Sequence, residues 1–246
     1  MTIRLNADAG ESYGPWSMGR DAELMPHIHL VNLACGFHAA DPHTIRRSVA
    51  LAKQLGVQIG AHPGYADKEG FGRRSIPHTP EEIYNLTLYQ LGALDAFCRA
   101  ADWPLRYVKP HGALYHDMMQ RPEVFAALVA AVADFNPELA LVLLAVPERE
   151  ALIAQANQRG LTLWWEAFAD RAYLANGQLA PRGQAGAVHT DPAQMMEQVR
   201  RIMQGEPLTT LDGGEVCLQA DLICVHGDHS ESIALVGQLR QMIEAA

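Results

Sequence analysis

"IHLVNLACGFHAADPHTIRRSVALAKQLGVQIGAH" (residues 28–62) reads as strand, loop, helix and strand. Its outer runs, "IHLVNLA" (28–34) and "VQIGA" (57–61), are short, apolar and rich in bulky or branched side chains, the composition of buried strands. Between them, "DPHTIRRSVALAKQLG" (41–56) carries helix punctuation at both ends: Asp41 can cap, Pro42 suits the first turn, and Gly56 stops the helix. Strand, helix and strand with no break in composition is the pattern of a parallel sheet.

The same grammar recurs along the chain. Further strand-like runs are "IRLNA" (3–7), "RYVK" (106–109), "LALVLLA" (139–145), "LTLWWEA" (161–167) and "DLICVH" (221–226). Helix patterns cover 79–102, with Thr79 as cap and Glu81 and Glu82 at the positive end, and 190–205, which follows a short strand-like run at "GAVH" (186–189). Seven or eight such units favour a closed barrel over an open sheet. The expectation is an α/β protein, one domain over residues 1–246, built as a distorted (β/α) barrel with seven or eight mostly parallel strands.

Composition excludes several classes. A net charge of −9, with paired basic residues only at 73–74, 46–47 and 200–201, argues against a broad nucleic-acid surface. Four cysteines without CxxC spacing suggest reduced thiols rather than a disulfide framework or a zinc knuckle. With no basic-then-apolar leader pattern and no apolar run of about 20 residues, the expectation is a soluble, cytoplasmic protein that does not enter a membrane. Neither GxxxxGK[ST] nor a GxGxxG after a strand occurs, so the common nucleotide fingerprints are missing.

In a β/α barrel, chemistry gathers where the carboxyl ends of the strands meet the loops. Asp8 and Glu11 follow the first run, Cys35, His38 and Asp41 the second, and His62 and Asp67 the third. Lys109 and His111 follow the fourth, Glu166, Asp170 and Arg171 close the sixth, and His226, Asp228 and His229 end the last. The fifth run carries nothing polar before Glu148, and the opposite strand ends show far fewer titratable groups. Structural readings compete: Asp8 with Gly10 can form a turn, Asp41 a cap, His62 with Pro63 and Gly64 a tight turn, and Glu166 an ion pair with Arg171. Lys109 beside His111 is the hardest to explain that way, because a buried ammonium needs partners that an apolar core does not supply. In "GFGRRS" (70–75) the glycines leave backbone open to a ligand, and Arg73 and Arg74 suit a carboxylate or phosphate.

As an ordered set, "LNADAGE" (5–11), "NLACGFHAAD" (32–41), "GAHPGYAD" (60–67), "FGRR" (71–74), "VKPHGALY" (108–115), "EAFADRAY" (166–173), "PRGQAGA" (181–187) and "CVHGD" (224–228) resemble the LamB/YcsF family over nearly the whole chain. Ala40 departs from the glycine of the family's "GFHAGD" segment. The resemblance implies a barrel similar to the glycoside hydrolase and deacetylase superfamily. It also implies ATP-dependent opening of 5-oxo-L-proline to L-glutamate by a 5-oxoprolinase, with this chain working beside separate B and C subunits.

That chemistry needs a base for water, an acid for the ring nitrogen and a stabiliser for the tetrahedral intermediate. On this reading Asp8 or Glu166 is the base, His62 or His111 moves the proton, and Lys109 stabilises the negative charge. Arg73 or Arg171 holds the substrate carboxylate, with Glu11, His38, Asp170, His226 and Asp228 as further substrate contacts. ATP is the co-substrate, and the lack of a phosphate-cradling motif points to the partner chains for much or all of its chemistry. Two other readings stay open. One is a stand-alone metal-dependent deacetylase or amidase, with Asp8, His38, His62 and His226 as metal ligands. The other is a non-catalytic component that binds the lactam, for which the terminal helix is either barrel cover or docking element.

Overall fold

The computed structural model describes residues 3–225 and 230–245. In chain order the strands are β1 (Arg4–Ala9), β2 (Leu30–Ala34), β3 (Gln58–His62), β4 (Leu105–Val108), β5 (Ala140–Leu144), β6 (Thr162–Phe168), the short pair β7 (Leu208–Thr209) and β8 (Glu215–Val216), and β9 (Leu222–Cys224). All but β7 and β8 form a closed parallel barrel in the order β1-β2-β3-β4-β5-β6-β9, with β9 returning to β1. The barrel expected from the sequence is therefore present with seven strands. "GAVH" makes only an isolated bridge, Val188 with Arg171, and adds no eighth.

Successive residues of a strand point to opposite faces, so one parity of each strand lines the barrel interior. Leu30, Tyr107, Ala140, Val142, Leu222 and the partly buried Trp164 pack together inside as an apolar plug. Polar side chains follow towards the carboxyl ends. Asn32 Nδ2 donates to Asn6 Oδ1 at 2.7 Å and to Asp8 Oδ1 at 2.8 Å, and the Tyr107 hydroxyl donates to Asn32 Oδ1 at 2.6 Å. Gly60 leaves the space that Tyr107 fills, since a Cβ there would lie 2.1 Å from the ring. The other parity, including Leu5, Ala7, Val31, Leu33, Ile59, Leu141 and Leu143, packs outward into the main hydrophobic core.

That core is covered by α1 (Asp21–Leu24), α2 (Pro42–Leu55), α3 (Pro80–Ala100), α4 (Gly112–Gln120), α5 (Pro122–Phe135), α6 (Glu150–Asn157), α7 (Pro192–Gln204) and α8 (Ser230–Glu244). The expected punctuation operates. The Asp41 side chain accepts from the amides of His43 and Thr44, and Gly56 closes α2 at φ 71°. Thr79 and Glu82 form a reciprocal capping box on α3, and Asp191 caps α7 through the Ala193 amide. Each such cap stabilises its helix by about 1 kcal/mol. Leu235, Val236, Leu239 and Ile243 of α8 are buried, which makes the terminal helix barrel cover. Among the described residues no helix is long and apolar enough to cross a membrane.

The segment after β6 turns over the mouth of the barrel. Bridges between Arg171 and Val188 and between Tyr173 and Leu179 fold it back on itself, around a knot of Ala172, Ala180 and Ala187. It thereby carries residues far from the strand ends to the rim.

Candidate active site at the mouth of the barrel

Lys109 leaves β4 with its amide still paired to the Ala61 carbonyl at 2.8 Å, so its side chain stays inside the barrel. Its Nζ lies 2.9 Å from Glu166 Oε1 and 3.1 Å from Asp8 Oδ1, and donates to Asn6 Oδ1 at 3.3 Å. Lys109 is 3% exposed and Glu166 0%. Burial opposes the ammonium most strongly, but the groups around it, Asp8 first, then Cys224 and Glu166, outweigh it, and Lys109 binds its proton more tightly than an ordinary lysine. Burial raises the Glu166 carboxyl, and the Lys109 charge offsets this only in part. Desolvating such a pair costs several kcal/mol per ion, which two carboxylates, an amide oxygen and the short contacts offset here.

Beside this pair stand three imidazoles. A carbonyl oxygen can only accept, so His62 Nδ1 must carry the proton that meets the Lys109 carbonyl at 2.6 Å, and His111 Nε2 the one that meets the Phe71 carbonyl at 2.8 Å. Their other nitrogens, His62 Nε2 and His111 Nδ1, face each other at 2.9 Å. His62 Nε2 is also 3.3 Å from Asp8 Oδ2, and His111 Nδ1 is 4.0 Å from Glu11 Oε1. His38 stacks on His111 with ring centroids 3.8 Å apart and planes within 1° of parallel. Burial first, then His62, pushes His111 down to about 3, and burial followed by His111 and His62 holds His38 well below the usual histidine range. Glycines make the stack possible: a Cβ on Gly64 would meet His38 Nδ1 at 2.6 Å, and one on Gly72, already at φ +63°, would meet His38 Cβ at 2.7 Å.

Above lies a cavity of about 660 Å³ lined by Asp8, Glu11, His62, Lys109 and His111, with Phe71, Tyr115 and Phe168 as apolar walls and Arg73, Arg171 and Arg182 as cationic groups. The two arginines of "GFGRRS" separate. Arg74 binds Asp67, which anchors the turn, whereas Arg73 faces the cavity. Arg171 is buried and spends Nη2 on the Ala180 carbonyl at 2.6 Å, so it also ties down the covering segment.

The structure brings Asp8, Glu11, His62, Arg73, Lys109, His111 and Arg171 to one cavity. Glu166 lies beneath Lys109, paired with it rather than with Arg171, and does not line the cavity; His38 sits behind His111, and Asp170 is outside the lining. His226 and Asp228, expected to contact substrate, lie outside the described residues, and so does one of the four metal ligands weighed from the sequence. A different quartet, Glu11, His38, His62 and His111, offers ligand atoms all within 4.8 Å of one another, which is a geometry able to hold a metal ion. Sequence reasoning missed Asn6, Asn32, Tyr115 and Arg182. Polar residues inside apolar runs were the available signal for the two asparagines.

Fold and cavity together define a parallel β/α barrel with a charged pocket at the carboxyl ends of its strands. The LamB/YcsF family model matches residues 3–246, and the chain belongs to that family. It is 50% identical over 241 residues to the A subunit of 5-oxoprolinase from Pseudomonas fluorescens, covering 98% of this chain and 96% of that one. It is 49% identical over 240 residues to the A subunit of 5-oxoprolinase from Chromohalobacter salexigens, with the same two coverages. The crystal structure of the lactam utilization protein from Thermus thermophilus superposes with a TM-score of 0.90 at 44% identity, covering 100% of this chain and 97% of that chain.

Proposed function

We propose that this chain is the A subunit of an ATP-dependent 5-oxoprolinase and carries the hydrolytic half of 5-oxo-L-proline ring opening, with separate B and C subunits supplying the phosphoryl chemistry. The observation that supports it most is Lys109, an ammonium held at the cavity floor between Asp8 and Glu166, in a chain alike over its whole length to proteins that bear that name.

The lactam is a resonance-stabilised amide, so its carbonyl carbon is a poor electrophile. Transfer of the γ-phosphoryl group of ATP to the amide oxygen removes that resonance. Water then adds to the ring carbon, giving up a proton to a base. The C–N bond breaks as the nitrogen takes that proton back from the base, and a second water hydrolyses the resulting acyl phosphate to glutamate and phosphate. Net consumption is one ATP and two waters.

In this scheme Asp8, on the cavity wall and fixed by Asn32 and Lys109, takes the proton of the attacking water. Lys109 stabilises negative charge as the tetrahedral intermediate forms. Glu166 keeps Lys109 charged and aimed. Arg73, the guanidinium left over once Arg74 is committed to Asp67, binds the substrate carboxylate. The test is glutamate release from 5-oxoproline and ATP, measured with this chain alone and then with both candidate partners. Activity is expected only in the full mixture; activity of the chain alone refutes the division of labour, and none in any mixture refutes the assignment.

A further inference from the structure

We propose that Glu11, His38, His62 and His111 form a binding site for one divalent transition-metal ion of the zinc class at the barrel mouth. The inference concerns what the mouth holds rather than what it turns over, and stands or falls separately from the lactam reading.

The argument starts from protons. His62 donates from Nδ1 to the Lys109 carbonyl and His111 from Nε2 to the Phe71 carbonyl, so in the neutral rings the two facing nitrogens both present lone pairs. They stand 2.9 Å apart, which is repulsive unless something positive lies between or beside them. A metal-bound histidine commonly donates its remote N–H to a carbonyl or carboxylate, fixing the tautomer and aiming the free nitrogen at the ion. Both rings show that arrangement.

A shared proton would also relieve the repulsion and would make the pair the proton shuttle expected from the sequence. Two further observations favour a metal. His38 is 1% exposed, and neither of its ring nitrogens has a hydrogen-bond partner, an expensive state for a buried imidazole that coordination through one nitrogen relieves in part. Glu11 brings a carboxylate to the same point, so three imidazoles and one carboxylate converge within 4.8 Å. Metal–nitrogen distances of about 2.0–2.1 Å place tetrahedral ligands about 3.3 Å apart. The His62–His111 gap of 2.9 Å is close to that; the longest gap in the group must close by about 1.5 Å, and His38, stacked parallel on His111, must turn out of the stack for its in-plane lone pair to meet the same ion. Nitrogen-rich donors with one carboxylate suit zinc, cobalt or nickel better than magnesium or calcium. An ion here would border the cavity through His62, His111 and Glu11, where it could polarise a bound oxygen.

The test is metal binding by the full-length chain after chelator dialysis. Zn²⁺ is titrated against a chromophoric chelator, and Co²⁺ serves as a visible-absorption reporter of coordination. One equivalent should bind with the bands of a four- or five-coordinate ion. His62→Gln and His111→Gln should each weaken binding about 100-fold or more. Glu11→Gln, in a half-buried loop position that does not threaten folding, should weaken it measurably, with far-UV circular dichroism confirming the fold of every variant. Folded wild-type protein that takes up no ion overturns the proposal, as does uptake unchanged in the histidine variants. So does imidazole NMR showing a shared proton that Zn²⁺ does not displace. Loss of 5-oxoproline turnover with zinc binding intact counts against the assigned activity alone, and the reverse result counts against this site alone.

Discussion

Replacing Lys109 by Met removes the charge and keeps most of the stem. What remains is Glu166, 0% exposed and formerly 2.9 Å from the ammonium, together with Asp8. Breaking a buried pair by deleting one partner costs about 3–5 kcal/mol, mostly because the survivor is stranded as a charge. The survivor can escape by taking a proton. In the variant the folded-state pKa of Glu166, already raised by burial, loses the opposing ammonium and rises further above its unfolded value. A raised carboxyl contributes stability that is fully present below the unfolded pKa and disappears as pH climbs through the folded one. Lys109→Met should therefore lie nearest to wild type in acid, with the gap widening as pH rises above the unfolded carboxyl range. Urea denaturation at a series of pH values measures it. Lys109→Met/Glu166→Gln, which leaves only the part-exposed Asp8 without its ammonium partner, should recover most of the lost stability at neutral pH. It should not recover glutamate release, for which loss of the charge stabiliser costs about 10²–10³ in kcat. A single variant as stable as wild type across the range, or a double variant with no recovery, would refute the charged-pair account of the barrel floor.

Other perturbations separate neighbouring residues. Arg73→Ala should raise KM for 5-oxoproline about tenfold or more, the worth of a charge-assisted carboxylate contact of about 1.5–3 kcal/mol, while Arg74→Ala leaves KM nearly unchanged in steady-state assays. Arg74 instead holds the Asp67 carboxyl down at about 2, so Asp67 stabilises the fold above its unfolded pKa and loses that effect as pH falls through about 2. Arg74→Ala should move the acid-unfolding midpoint upward in a circular dichroism titration. Gly64→Ala forces a methyl against His38 Nδ1 and should cost about 1–3 kcal/mol in denaturant unfolding. Ala40 sits at φ 69° and is fully buried. Relief of about 1–2 kcal/mol of left-handed strain in Ala40→Gly nearly cancels the loss of a buried methyl, about 0.8 kcal/mol, and the added chain entropy, about 0.5–1 kcal/mol. That substitution should change stability by less than about 1 kcal/mol, well short of the usual cost at a core position.

The barrel was legible because its evidence is local. Asp41, Pro42 and Gly56 act within one helix, and apolar runs mark strands whatever they pair with. Asp8, His62, Lys109 and His111, picked out as polar residues at strand ends, line one cavity, since a barrel turns sequence periodicity into a shared rim. It could not separate Arg73 from Arg74, which are equivalent neighbours until Asp67 selects one of them. Nor could it find Arg182, which reaches the cavity only because the segment after β6 folds back through Arg171 and the alanine knot. Ala40 shows the same limit from the backbone side: its departure from the family's glycine was visible, but the positive φ that gives the departure a cost was not.

What neither composition nor motif supplies is register, and register decides the chemistry. Asp8 is aligned with Asn32, Asn32 with Gly60, and Gly60 with Tyr107, so the polar layer around Asn32 is a consequence of three strand pairings. Asn6 and Asp8 share a parity and both reach inward to Asn32 and Lys109. Sliding β1 by one residue would turn both outward beneath the helices and bring Leu5, Ala7 and Ala9 inside. Lys109 would keep Glu166 as its one carboxylate among the described residues, with Cys224 Sγ at 3.2 Å, Asn32 would lose both of its acceptors, and the burial of the ammonium would no longer be fully offset. The apolar parity of β1 and its two inward polar residues thus favour the same register, one by packing and the other by pairing, which is why a lysine can stand at the floor of this barrel.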